Sequence, residues 1–321
     1  MKSGLRKKVL FFFIFFVLLF LTNLWMGRES NPQRPFQYNE VFYPRVKADV
    51  VIFGASHTAH GINPKYLEEG HFKVYNFSMD AAGPSFNLKW YKKIFQPHYP
   101  KPFCVIYGVH WGMFDENLAH RRFEQDSKYF PGGFLFREFL GVKGLEDLER
   151  VKTLFLNRFG IFRERKKLAN RLLRRETDPY VLSGFYNGFI PYEREGGLDK
   201  KRDIAPKNGE AQVKAFEELL DEFEKNKIEV IFVEVPGYLP ARTPSNVEEG
   251  NRLVNKIAEQ RKILFLDYDT KKITNINTDP SMFSDWLHLN GKGSDAFSKL
   301  LKSDLESLFK QWPAKARGPS T

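Results

Sequence analysis

The chain has 321 residues, of which 42% are apolar and 28% are charged, and its formal net charge is +11. This length is sufficient for one large domain or two modest ones, and the apolar fraction is sufficient for a packed core, which argues against a disordered chain. An excess of basic residues can reflect binding to nucleic acid, proximity to anionic lipid, or simply a need for solubility. The sequence has neither zinc-finger spacing nor an aromatic RNA-binding signature, which argues against a nucleic-acid partner.

The N-terminal region carries an uncharged apolar segment from Val9 to Met26. It is preceded by the basic residues Lys2, Arg6, Lys7 and Lys8. This segment just spans a hydrocarbon core as a helix, and the bulky residues at its end are unlike a signal-peptide cleavage site, which favours an uncleaved anchor over a cleavable signal. Because positive flanks stay in the cytoplasm, we predict a cytoplasmic N-terminus (residues 1–8), a transmembrane anchor (residues 9–26) and an extracytoplasmic, periplasmic body.

After a polar, proline-containing segment predicted to be a stalk (residues 27–47), short apolar runs alternate with segments of helical periodicity. This alternation is typical of right-handed βαβ units in a parallel sheet. The five predicted strands are residues 48–54, 72–79, 102–109, 228–236 and 263–269. Helices are predicted after Asn63 as N-cap, and at residues 83–95, 209–227, 246–262 and 291–312. The sequence therefore predicts an α/β fold, a three-layer sandwich around a mostly parallel five-stranded sheet.

The middle third of the chain interrupts this alternation. Core segments 48–113 and 206–311 flank residues 114–205, which are predicted to be a basic helical insertion. Within it, residues 137–176 hold twelve Lys or Arg against six Asp or Glu. A solvated helical hairpin, a lid over the site and a surface that lies on anionic lipid all fit this pattern. Residues 312–321 are predicted to be a disordered tail.

Three further residues bear on the chemistry that the chain can support. Cys104 is the single cysteine and lies in an apolar run, which favours a core residue over a nucleophile. His57 and His60 are three positions apart, as metal ligands can be, but no H-E-x-x-H frame or obvious third ligand accompanies them. The sequence predicts neither a metal nor a cofactor.

Two polar clusters fall at the ends of predicted strands, where sites collect in doubly wound sheets. The first is "GASH", residues 54–57, in which Ser56 would present its Oγ as the chain enters a turn. The second is "FSDWLHLNGKG", residues 283–293, in which Asp285 and His288 are three positions apart. This spacing lets the carboxylate accept the Nδ1–H of the imidazole while Nε2 points away, as a general base requires. Each cluster alone also fits ordinary turn and packing roles, but together they favour a nucleophile and its base.

The segments "VIFGASH" and "DWLHLNGKG" resemble the first and last motif blocks of the SGNH, or GDSL-like, hydrolases. The resemblance covers most of residues 48–310 apart from the insertion. The Ser-His variant and the plan of an anchor plus a body are similar to membrane-anchored envelope members, such as alginate O-acetylation proteins and the D-alanyl transfer protein of teichoic acid modification. The resemblance implies action on acyl groups.

The resemblance also implies a role for individual residues. It makes Ser56 the nucleophile, His288 the general base and Asp285 the residue that orients this base. It implies an oxyanion hole formed by the backbone N–H groups of Ser56 and Gly83 and by the side chain at position 110.

The sequence departs from the family pattern at three positions. His110 stands where the family has Asn, and Ala55 and His57 stand where it often has Asp and Leu. One oxyanion donor contributes roughly 3 kcal/mol to transition-state stabilisation. A neutral imidazole at position 110 supplies such a donor, whereas a charged or misdirected one spoils the site.

Two functions follow from these observations. The first is a membrane-anchored serine esterase or O-acyltransferase that acts on acyl esters of an envelope glycan or lipid. The second is a catalytically inactive protein of the same fold that binds a glycan or a membrane acyltransferase partner. Labelling of Ser56 distinguishes them.

Overall fold

The computed structural model describes residues 9–21, 47–68, 72–116, 198, 209–241, 244–272 and 274–311. The N-terminus, nearly all of the stalk and of the basic insertion, and the C-terminal tail that the sequence predicts lie outside these residues. Residues 9–21 form a helix with exposed side chains. Within the described residues, no helix combines the length and apolar character needed to cross a membrane.

The fold is built on one five-stranded sheet of order β2-β1-β3-β4-β5. The strands are β1 (Val50–Phe53), β2 (Val74–Asn76), β3 (Cys104–Val109), β4 (Glu229–Glu234) and β5 (Leu264–Asp267). All neighbouring pairs are parallel, which confirms the predicted α/β class and all five strands. The strands are shorter than predicted because the apolar runs continue into buried loops. After β2, for example, Phe77 and Met79 still donate backbone N–H bonds to β1 and its end but no longer form strand.

Six numbered helices accompany the sheet in the part of the chain that the structure describes. They are α1 (Ser56–Gly61), α2 (Pro64–Glu68), α3 (Pro84–Trp90), α4 (Glu210–Lys225), α5 (Pro244–Arg261) and α6 (Gly291–Gln311). α3 continues through a π-helical turn, Tyr91–Phe95, into a last turn, Gln96–His98. The sequence predicted all of these except α1, which replaces the expected turn after Gly54.

The two faces of the sheet bury different kinds of side chain, because successive strand residues point to opposite faces. The face under α2 and α6 is largely aliphatic. Its strand residues include Val50, Ile52, Cys104, Ile106, Ile231 and Val233. Cys104 is fully buried there, and burial raises the pKa of its thiol well above the ordinary value, as expected for a core residue.

The opposite face is aromatic and packs against α3 and α4. Phe53 stands edge-on to Phe95 with ring centroids 5.5 Å apart, and Tyr107 lies 5.0 Å from Phe216 of α4. Helices thus cover both faces of the sheet, which confirms the predicted three-layer sandwich.

The strand order favours a site at the carboxyl ends of β1 and β3. The chain pairs β2 on one side of β1 and then crosses to place β3 on the other side, and sites in doubly wound sheets form where the order reverses in this way. Two glycines at these ends let α1 approach the sheet. A Cβ on Gly54 would lie 2.4 Å from Thr58 Oγ1, and one on Gly108 would lie 1.7 Å from the same atom. Close packing of Thr58 over both glycines holds α1 at the carboxyl ends of β1 and β3.

Glu116 and Gly209 lie next to each other in the α/β body. The N–H of Gly209 donates to the carbonyl of Phe114 over 2.8 Å. A Cβ on Gly209 would lie 2.9 Å from the Cβ of Glu116, so the two ends of the intervening segment are adjacent.

Candidate active site

The structure brings together three residues that the sequence predicts as catalytic. His288 Nε2 lies 2.8 Å from Ser56 Oγ. Its Nδ1 lies 3.0 and 2.9 Å from the two carboxylate oxygens of Asp285. Because an ionised carboxylate only accepts hydrogen bonds, Nδ1 carries the proton and Nε2 accepts the hydrogen of the serine hydroxyl. This is the tautomer and orientation that a general base needs.

Asp285 is held by its own loop as well as by the imidazole. Its Oδ1 accepts backbone N–H bonds from Leu287 and His288, each 2.8 Å long. Burial by itself would raise the pKa of this carboxyl, but the hydrogen bond and charge of His288 and the two backbone bonds outweigh burial and lower the pKa. Asp285 therefore stays ionised, as the partner of an imidazolium must.

The start of α6 fixes the loop that carries Asp285 and His288. Asn290 caps the helix: its Oδ1 accepts the N–H of Gly293 over 3.0 Å, and its Nδ2 donates to the carbonyl of Ser281 over 2.8 Å. Gly293 allows the carbonyl oxygen of Met282 to approach, since a Cβ there would lie 2.1 Å from that oxygen. No role was predicted for Asn290, although an Asn immediately before a helical pattern is a recognisable N-cap signal.

A separate set of hydrogen bonds ties the serine side of the site to the histidine side. The N–H of Asn63, which follows α1, donates to Ser298 Oγ on α6 over 2.8 Å. The side chain of Asn63 also donates to Asp295 over 3.0 Å, and Ser294 Oγ donates to the carbonyl of Gly61 over 3.0 Å. These bonds join segments more than two hundred positions apart, and they hold α1 against the helix that follows His288.

His110 lies at the end of β3, where the family pattern has Asn, and its tautomer can be read from one contact. The backbone N–H of Gly112 donates to His110 Nδ1 over 3.1 Å. Nδ1 is therefore an acceptor, and the neutral ring carries its proton on Nε2. Burial, and secondarily the charge of His288, lowers the pKa of His110 to about 3. His110 is thus a neutral Nε2–H donor at physiological pH.

His57 and His60 complete a cluster of imidazoles around Ser56. The His57 ring stacks on His110 with centroids 4.4 Å apart and lies 5.0 Å from the ring of His288. His60 stands edge-on to His288 at 5.7 Å, and its Nε2 lies 2.9 Å from a carboxylate oxygen of Asp80. Among the described residues, no group of three or more His, Cys, Asp or Glu side chains is placed to hold a metal ion.

Gly83 is linked to this cluster only indirectly. It is the N-cap of α3, at the end of the loop that follows β2. That loop is bonded to the end of β1 through the N–H of Met79 and the carbonyl of Gly54, 3.1 Å apart. The loop that carries Gly83 thus starts beside Gly54, two residues before Ser56. A role for the backbone N–H of Gly83 in the oxyanion hole stays a prediction.

No protein-family model and no curated protein matches this sequence. Several solved structures are similar to it at low identity. A GDSL-like lipase from Bacteroides thetaiotaomicron has 14% identity and a TM-score of 0.39, over 81% of this chain and 88% of its own. A lipase/acylhydrolase from Enterococcus faecalis has 13% identity and a TM-score of 0.41, over 81% and 95%. A psychrotrophic esterase from Pseudoalteromonas sp. has 9% identity and a TM-score of 0.41, over 82% and 100%.

Proposed function

We propose that the protein is a serine esterase or O-acyltransferase that uses Ser56, His288 and Asp285 as a catalytic triad. The observation that carries this proposal is the 2.8 Å contact between His288 Nε2 and Ser56 Oγ, with Asp285 on the opposite ring nitrogen. A solvated turn serine and a packed histidine need no such alignment. A nucleophile with an oriented base does.

The first half-reaction forms an acyl-enzyme. Ser56 Oγ attacks the acyl carbon as its proton passes to His288 Nε2, and Asp285 stabilises the imidazolium. The tetrahedral intermediate then collapses, the bond from the acyl carbon to the alcohol oxygen breaks, and His288 returns its proton to the departing alcohol.

The negative charge of the tetrahedral intermediate needs preorganised donors. We assign this role to the backbone N–H groups of Ser56 and Gly83 and to the Nε2–H of His110. Support for His110 comes from the bond that Gly112 donates to its other nitrogen, which leaves a neutral donor in place of the family's Asn. A donor of this kind accounts for roughly 3 kcal/mol of transition-state stabilisation.

The second half-reaction transfers the acyl group to an incoming hydroxyl. His288 takes the proton of this hydroxyl as its oxygen attacks the acyl carbon, and Ser56 Oγ leaves with that proton. Water as acceptor completes an esterase cycle, and a sugar hydroxyl completes an O-acyltransferase cycle. Neither cycle requires a cofactor.

We further propose that the protein acts outside the cytoplasm, anchored by its N-terminal segment, on acyl esters of envelope glycan or lipid. Support comes from the sequence, in which an uncharged apolar segment follows four basic residues. The described part of this segment, residues 9–21, is helical, and its apolar side chains are exposed.

Labelling with a fluorophosphonate probe tests the nucleophile. We expect wild-type protein to form a covalent adduct, the Ser56→Ala variant to form none, and the His288→Ala variant to react at least 100-fold more slowly, because the base is missing. Ser303→Ala, which removes an exposed hydroxyl on α6, is the matched control and should label like wild type. Mass spectrometry of the adduct locates the modified residue.

Absence of label on folded wild-type protein would contradict the enzymatic proposal. That result would favour the second function, a binding protein for a glycan or for a membrane acyltransferase partner.

A further inference from the structure

The catalytic cycle gives no role to His57 or His60, and of these two imidazoles His60 is already paired with Asp80. The His57 ring stacks on His110 at 4.4 Å and lies 5.0 Å from His288, so it contacts both the oxyanion donor and the base. The residue is only 7% exposed. Neither of its ring nitrogens has a hydrogen-bond partner in the part of the chain that the structure describes.

This arrangement is unfavourable for the resting protein. A buried polar atom without a partner destabilises the folded state, because it has lost its hydrogen bonds to water, whereas an apolar group of the same shape does not. Phenylalanine at position 57 would keep the stacking on His110 and avoid the cost. Groups left unsatisfied in a native structure call for an explanation, and a partner that arrives with the substrate supplies one.

The protonation state of His57 limits the chemistry of this partner. Burial, together with the charges of His110, His288 and His60, lowers the pKa of His57 well below its ordinary value. The ring is therefore neutral and offers one donor and one acceptor. Phosphate and carboxylate groups only accept, and ammonium groups only donate, so none of them matches both nitrogens. Hydroxyl groups both donate and accept.

We propose that His57 is a specificity-determining residue that hydrogen-bonds hydroxyl groups on the alcohol part of the ester, so that the substrate is an ester of a sugar or another polyol. This inference rests on the proposed function, since it assigns a substrate class to the same site. Both nitrogens are covered in the unliganded protein, so the bonds form as the ring turns towards the site beside Ser56 during binding.

Ligand binding in the Ser56→Ala background tests this inference without any catalysis. The two ligands are glycerol 1-acetate and 2-methylbutyl acetate, which has a methyl group in place of each hydroxyl. NMR titration of the full chain gives the ratio of their Kd values. We expect the additional His57→Phe substitution to shift this ratio at least tenfold against the glycerol ester, the effect of about one lost hydrogen bond.

Two further substitutions in the same background separate polarity from shape. His57→Gln keeps one donor and one acceptor and should retain part of the preference for the glycerol ester. His98→Phe makes the same chemical change at an exposed position and should leave the ratio unchanged. An unchanged ratio in His57→Phe, or no measurable binding of the glycerol ester to Ser56→Ala, overturns the inference.

Thermal unfolding supplies a second, independent criterion. His57→Phe should have a melting temperature equal to or above that of wild type, because the nitrogens have no partner to lose. A melting temperature lowered by several degrees would show that the nitrogens bond within the resting protein, and it would overturn the inference. Absence of fluorophosphonate labelling in the wild type would contradict the proposed triad. The ratio of the two Kd values in the Ser56→Ala background would still decide the role of His57.

Discussion

At the scale of single residues, the chemistry of the site depends on where each imidazole keeps its proton. Asp285 holds the proton of His288 on Nδ1, and Gly112 leaves the proton of His110 on Nε2. The Nε2 of His288 therefore accepts a hydrogen bond from Ser56, whereas the Nε2 of His110 carries a proton and can donate one. Backbone and carboxylate partners, rather than the residue type, determine these roles.

The role of His110 can be tested by substitution. His110→Asn keeps a neutral N–H donor and should retain most of the esterase activity, while His110→Phe removes the donor and should lower kcat by about 100-fold with a much smaller change in KM. Steady-state kinetics with 4-nitrophenyl acetate measure both parameters, and circular dichroism checks the fold. A kcat within threefold of wild type in His110→Phe would exclude His110 from the oxyanion hole.

The sequence predicts some of these residues and not others for a physical reason. Ser56, Asp285 and His288 could be found because a Ser after a buried strand and an Asp–His pair just before the last helix together resemble a known pair of motif blocks. The proton position on His110 could not, because it depends on a backbone N–H whose direction is set only when the turn after β3 folds. The stacking of His57 on His110 likewise joins two segments that only the strand pairing of β1 and β3 brings together.

At the scale of secondary-structure elements, α1 is the part of the fold that the sequence did not predict. Its N-cap is Ala55, which makes no side-chain capping bond, and the helix contains β-branched Thr58 and the terminal Gly61. Local propensity thus argues against a helix. Tertiary contacts stabilise it instead: Thr58 packs on the glycines of β1 and β3, and Asn76 Nδ2 donates to the carbonyls of Thr58 and Ile62 over 3.2 and 3.0 Å.

The bond between Ser298 and the chain just after α1 provides a test of this element. Ser298→Ala leaves the buried N–H of Asn63 without its acceptor, so we expect the free energy of unfolding to fall by about 1–3 kcal/mol. Ser303→Ala removes an exposed hydroxyl from the same helix and should change it by less than about 0.5 kcal/mol. Urea denaturation measures both. Equal stabilities for the two variants would mean that the bond to Asn63 contributes nothing.

At the scale of the whole molecule, four of the histidines that the structure describes gather around one serine, and this concentration couples stability to pH. The pKa of His110 falls to about 3, and that of His57 falls well below 6.5. Between these values and 6.5, the unfolded chain binds protons that the folded protein does not. The free energy of unfolding therefore decreases as pH falls through this window. Above the window, the neutral state of both imidazoles no longer lowers the stability of the folded protein relative to the unfolded chain.

The contribution of His57 to this acid sensitivity can be measured. In urea denaturation between pH 6.5 and 4.5, each proton taken up on unfolding gives a slope of about 1.4 kcal/mol per pH unit. His57→Phe removes the proton that His57 takes up on unfolding. The slope of its stability against pH should therefore be smaller than that of wild type by up to about 1.4 kcal/mol per pH unit. His98→Phe, at an exposed position, should keep the wild-type slope. Parallel pH profiles for wild type and His57→Phe would contradict a neutral, buried His57.

The hydrogen bond between Gly209 and Phe114 has a consequence for how this chain can vary. The N–H of Gly209 bonds to the carbonyl of Phe114, and beside it the Nε2 of Gln212 donates to the carbonyl of Asp115 over 3.4 Å. A side chain at position 209 would press against Glu116 across this junction, so glycine is the residue that lets these two stretches of chain meet so closely.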